Sequence, residues 1–198
     1  MMKYAGYCVL VSVFVCLNSC SKDNNSTGST ALNGSWSFNG FHAKTLSSAQ
    51  DTEAGIVFKT VTTSDYTTTN NAGTVNFAGT TMTGTGVAYS ADMGIFVTDY
   101  EDGAIVDTFS TDLPITIPPT NSTTTFEVIG SDSIHFTSAS LLGSAGNGSP
   151  ASNGAKFTVA GDLLTLTSNV IVDRVIDTLG TVITQHETAS VVTTLKKQ

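Results

Sequence analysis

Beyond residue 31 the apolar positions fall in short runs of β-branched and aromatic residues separated by Gly, Asn and Asp. No stretch there sustains a 3.6-residue apolar period between helix caps, so the mature chain reads as all-β. The alternation predicts strands near 34–42, 55–63, 73–78, 80–90, 94–100, 104–110, 123–129, 133–142, 155–160, 163–176 and 182–195. The last two far exceed the usual strand length of about 5–6 residues and suit a tilted barrel wall better than a compact sandwich.

Turn chemistry joins several of these runs. Asp102-Gly103 has the form of a two-residue type I′ turn, because Gly accepts a positive φ and Asp tolerates one. The simplest register then sets Glu101 against Ala104, Tyr100 against Ile105, Thr98 against Asp107 and Phe96 against Phe109, with the apolar pairs on one face. Gly161-Asp162 turns a second hairpin, and 126–138 and 157–168 share the pattern F-x-V-x-G-(x)-D-x-aliphatic-x-apolar-T-S. Two copies are too few for a solenoid and read as hairpins with one turn chemistry. Pro114-Ile115-Thr116-Ile117-Pro118-Pro119 should be extended and cannot be a central strand, since Pro lacks the ladder N–H. Residues 143–154, rich in Gly and Ser, read as a surface loop.

The first 31 residues follow different rules. Lys3 precedes the apolar run Tyr4–Leu17, which is shorter than the roughly 20 residues needed to span a bilayer and reads as a signal-peptide h-region. Leu17-Asn18-Ser19-Cys20 has the pattern at which lipoprotein signal peptidase cuts, so residues 1–19 are expected to be removed and Cys20 lipidated. Cys8 and Cys16 fall inside the leader, leaving Cys20 without a disulfide partner. Acyl chains contribute about 0.8 kcal/mol per buried CH₂, so several on one residue anchor a protein firmly. The alternatives are an uncleaved anchor or an ordinary secretory signal. Residues 20–31 read as the lipidated Cys and a polar tether, and 32–198 as one β domain. A flexible segment of about ten residues spans on the order of 17 Å.

Composition narrows the partners. Cleavage would remove Lys3 and take the formal charge from −8 to −9, a balance that does not seek nucleic acid or anionic lipid. Charged residues make up 12% of the chain, about half the usual share, with Thr, Ser, Gly and Asn in their place, while 40% apolar residues suffice for a core.

Two short motifs carry a resemblance. Gly34-Ser35-Trp36 resembles the first-strand Gly-x-Trp of lipocalin-like domains, and Thr98-Asp99-Tyr100 resembles their Thr-Asp-Tyr segment. Cys-Ser-Lys-Asp at 20–23 is similar to the mature start of many Bacteroidetes lipoproteins. The resemblance implies an antiparallel up-and-down β-barrel of lipocalin-like or calycin-like type with extra strands, a β-sandwich being the alternative. It implies that Trp36 plugs a closed end, with Arg174 or Lys196 as the cation to stack on it. It also implies a lipid-anchored outer-membrane location, facing the periplasm or the surface, and a small apolar or amphipathic ligand held at an open end.

Catalytic signatures are absent. There is no HExxH, GxSxG or P-loop, and His42, His135 and His186 lack metal-ligand spacing. Asp99, Glu101, Asp102 and Asp107 form the one acidic cluster, without the spacing of an EF-hand. Asp132-Ser133-Ile134 and Asp177-Thr178-Leu179 resemble short O-glycosylation acceptors. The expectation is a non-catalytic, cofactor-free cell-envelope lipoprotein that binds a small ligand. The alternative is a displayed structural or interaction module for protein or glycan.

Overall fold

The computed structural model describes residues 30–137, 153–178 and 181–198. The leader 1–19, Cys20, the tether as far as 29, most of the 143–154 loop and Leu179-Gly180 lie outside the described residues. Nine strands form one antiparallel sheet: β1 Gly34–Glu53, β2 Ile56–Thr67, β3 Thr69–Ala78, β4 Thr81–Glu101, β5 Ala104–Ile129, β6 Ser133–Phe136, β7 Gly154–Ala160, β8 Leu163–Thr178 and β9 Thr181–Lys197. Each strand from β4 onward pairs with its successor, and β9 returns to pair with β1 from Trp36–Lys197 to Gln50–Thr184. The sheet therefore closes into a barrel-like ring.

Both β2 and β3 run antiparallel to β1, and both lie between β1 and β4. They are two halves of one descending strand, interrupted at Thr68, and share one of eight positions in the ring. The interruption is held by side chains: Thr68 Oγ1 accepts from Phe41 N at 2.9 Å, and Asn71 Nδ2 donates to Asn39 O at 3.1 Å. At the same height β1 shifts register between Phe38 and Gly40, and β4 shifts on either side of Val87. Such bulges bend and twist a sheet locally, so the ring has a waist.

Below the waist the ring is complete and filled. Trp36, Phe77, Phe136, Met82, Leu164 and Leu195 are all fully buried there. Phe77 meets Phe126 edge-on at 5.5 Å, and Phe41 meets Tyr89 at 5.0 Å, orientations that match the ring quadrupoles. Above the waist β6 and β7 are missing, because they have only 4 and 7 residues beside the 26 of β5 and the 16 of β8. Among the described residues no strand pairs with β5 over 104–123 or with β8 over 168–178 on that side. Among the described residues the ring is closed at one end and open along a slot at the other.

Several expectations need correction. The eleven predicted segments merge into nine strands, because residues 91–93 and the proline stretch continue β4 and β5 without breaking them. Pro114 pairs opposite Asp92 on β4 while the other edge of β5 is open, which accommodates the missing N–H. The Asp102-Gly103 turn forms as expected, with φ of 50° and 82°, and so does Tyr100 opposite Ile105. A register shift follows at once: Asp99 lies opposite Asp107, Val97 opposite Phe109 and Phe96 opposite Ser110. Val106 is the extra residue, and it sends Phe96 and Phe109 to opposite faces. The repeated pattern forms two hairpins, β5–β6 and β7–β8, side by side at the closed end.

The waist supplies a direct test. Gly73 has φ +104°, and a Cβ there would lie 2.6 Å from Gly86 O and from the backbone of Val87. Gly73→Ala should cost about 3 kcal/mol in urea unfolding, from strain together with backbone displacement. Gly94→Ala, whose new Cβ would meet only Asp112 Oδ1 at 3.6 Å, should cost under about 1 kcal/mol. Equal losses for the two variants would contradict the waist geometry.

Candidate functional site

Immediately above the filled core, one triplet from each of six strands lines a cavity of about 810 Å³: 44–46, 63–65, 94–96, 110–112, 169–171 and 188–190. The register explains how six distant segments meet. Thr111 lies opposite Ile95, Ile95 opposite Ser64, Ser64 opposite Thr45, Thr45 opposite Ala189, and Ala189 opposite Val170. This row shares a face with the buried Ala43, Tyr66 and Val191 one rung below, because side chains two apart on a strand point the same way. A cavity touched by six successive strands lies in the concavity they enclose, so the row faces it.

The row mixes methyl groups with small hydroxyls and carries no charge. Ala189 and Ser64 are buried, and Thr45, Ile95 and Val170 are half-buried. Ser64 is 7% exposed, and its Oγ is buried without a hydrogen-bond partner among the described residues. An unmade bond of this kind costs about 1–3 kcal/mol, so it marks a place where the fold is not at its stability optimum. Below the row, burial pushes the Tyr66 hydroxyl up to about 12, with the nearby Tyr89 as a second contribution, and burial raises Tyr89 as well. Both floor tyrosines are neutral at ordinary pH.

Higher on the same face the chemistry changes. Two rungs above the row Asp99 lies opposite Asp107, with Thr60 Oγ1 donating to Asp99 Oδ1 at 2.6 Å. Neither carboxylate has an ion-pair partner among the described residues. Arg174 on this face is held by Glu187 at 2.9 Å. On the opposite face Lys44, and after it His42, bond to Asp65 and hold its carboxyl below the usual carboxylate range.

The sequence-predicted residues are dispersed. Trp36 sits fully buried at the closed end, its Nε1 donating to Leu32 O at 2.8 Å. The cation over its ring is Lys197, with Nζ 5.3 Å from the centroid, in place of the expected Arg174 or Lys196. Arg174 belongs to the open half, and Lys196 reaches Asp162 at 3.7 Å. His42 and His186 bind separate aspartates, Asp65 and Asp173, on the strand surface, and His135 lies on β6. The acidic hairpin splits up: Asp102 accepts from Val57 N and Asp107 from Thr108 N. Among the described residues no three His, Cys, Asp or Glu side chains are placed to hold a metal. Sequence reasoning missed the cavity row, whose only trace was small residues such as Ser64 and Ala189 at interior strand positions. Cys20 lies outside the described residues.

No family model, curated protein or solved structure matches the chain.

Ser64→Ala removes the unpartnered hydroxyl while keeping the Cβ. The ligand-free protein should gain about 1 kcal/mol in urea unfolding, whereas most buried substitutions destabilise. A loss of similar size would mean that Ser64 is satisfied in solution.

Proposed function

We propose that this chain is a cell-envelope lipoprotein, tethered through Cys20 to the outer membrane, whose lipocalin-like barrel binds a small apolar or amphipathic molecule without catalysis. The observation that carries the reading is the cavity beside the Thr45, Ser64, Ile95 and Ala189 row. Its 810 Å³ falls in the range of small-molecule sites, roughly 300–1,000 Å³, and the buried Tyr66 lies one rung below the row. Trp36 serves as the plug of the closed end, and neither it nor Lys197 touches the cavity.

Binding is tested with N-phenyl-1-naphthylamine, whose fluorescence rises in apolar sites. The wild-type protein should take up the probe saturably. Thr111→Trp, which adds bulk to the cavity from the exposed edge strand β5, should reduce uptake at least about tenfold with an unchanged unfolding midpoint. Saturable binding that ignores Thr111→Trp would move the site elsewhere. Absence of any binding would sink the ligand reading.

The anchor is tested separately. Labelled palmitate should enter the wild-type protein and be lost in Cys20→Ala, which should also leave the membrane fraction. Unchanged labelling in the variant would refute lipidation at this residue.

One observation favours an interaction module as the second reading. Ile171 and Val175 are 69% and 72% exposed on β8, whose edge over 168–178 is unpaired among the described residues and holds no proline. Long exposed edges of this kind accept added strands. Under this reading Thr111→Trp leaves function intact and a charge at Ile171 abolishes it.

A further inference from the structure

We infer that the cavity takes an amphiphile with a neutral, oxygen-bearing head, such as a long-chain alcohol or ketone, and rejects fatty carboxylates; this rests on the ligand reading above. Three observations converge. The row facing the cavity supplies aliphatic surface from Ile95, Val170 and Ala189, which suits a hydrocarbon body. It also supplies Ser64, whose buried Oγ has no partner among the described residues. A serine hydroxyl has three staggered positions, so one χ1 step lets it serve a hydroxyl or carbonyl brought into the cavity. Such a group would complete the bond that the protein leaves unmade, and an alkane could not.

The third observation concerns charge. A carboxylate would need a cation to offset its desolvation. Lys44, the one cation among the lining residues, is already held by Asp65 at 2.9 Å. Arg174, two rungs above Val170, is held by Glu187. An incoming anion would instead meet Asp99 and Asp107, which lie opposite one another without a counter-ion among the described residues. Like charges directly opposite on a sheet are destabilising, and adding a third is worse. The same arrangement leaves a neutral head untouched.

The experiment is displacement of N-phenyl-1-naphthylamine by decan-1-ol, decan-2-one, decane and decanoate from the full-length protein at low salt. The alcohol and ketone should displace the probe about fivefold more tightly than decane, the worth of one buried hydrogen bond. Decanoate should be about tenfold weaker than decan-1-ol, and the gap should narrow in high salt. In Ser64→Ala the alcohol should fall to the level of decane. In Asp99→Asn with Asp107→Asn, both near the solvent-exposed rim, decanoate should recover while decan-1-ol is unchanged. Decanoate binding as tightly as the alcohol, or an alcohol preference that survives Ser64→Ala, overturns this inference and leaves the ligand reading standing. Failure of the naphthylamine to bind overturns both.

Discussion

The whole architecture depends on a mismatch of strand length inside a closed ring. Antiparallel strands can close a sheet only where every neighbour is present, and β6 and β7 are too short to separate β5 from β8 along their full length. Closure from β9 to β1 therefore works together with β6 and β7 at one end, where the hydrophobic side chains of all strands meet. At the other end six strand segments curve around a space they cannot fill.

The waist decides where one regime gives way to the other. Gly40 and Gly73 take positive φ values of 111° and 104°, and Thr68 and Asn71 provide the hydrogen bonds that the broken ladder lacks. Bulges on β1 and β4 at the same height bend neighbouring strands together, so the bend does not tear the sheet. Below it, large aromatic residues interlock. Above it, small residues, Thr45, Ser64 and Ala189, leave volume beside a floor that includes Tyr66. Packing and vacancy are thus adjacent consequences of one change in side-chain size along continuous strands.

Electrostatics separates the two faces of the open half. The Lys44–Asp65 ion pair and the His186–Asp173 hydrogen bond lie on one face, where water screens them and each contributes little. The cavity-facing row has no charge; above it Glu187 holds Arg174, while Asp99 and Asp107 have no ion-pair partner among the described residues. A chain with few charges has placed two carboxylates, Asp99 and Asp107, two rungs above an uncharged row whose one buried unpartnered hydroxyl is that of Ser64.

The class of the fold was legible from period-two alternation and from turn pairs such as Asp102-Gly103 and Gly161-Asp162, because these signals act within a few residues. The edge character of the proline stretch was legible for the same local reason. The extra Val106 was not: Tyr100 opposite Ile105 fits either register, and only pairing further down the strands forces the shift that separates Phe96 from Phe109. The cavity was illegible because its row draws one residue from each of six segments spread from Thr45 to Ala189, and nothing local marks Ser64 as the partner of both Thr45 and Ile95. Even the cation over Trp36 was decided by closure, which brings Lys197 rather than Arg174 or Lys196 to the ring. Sequence alone determined that this chain makes strands and where they turn. Tertiary structure decided which residues face one another, since cross-strand register depends on every strand around the ring at once.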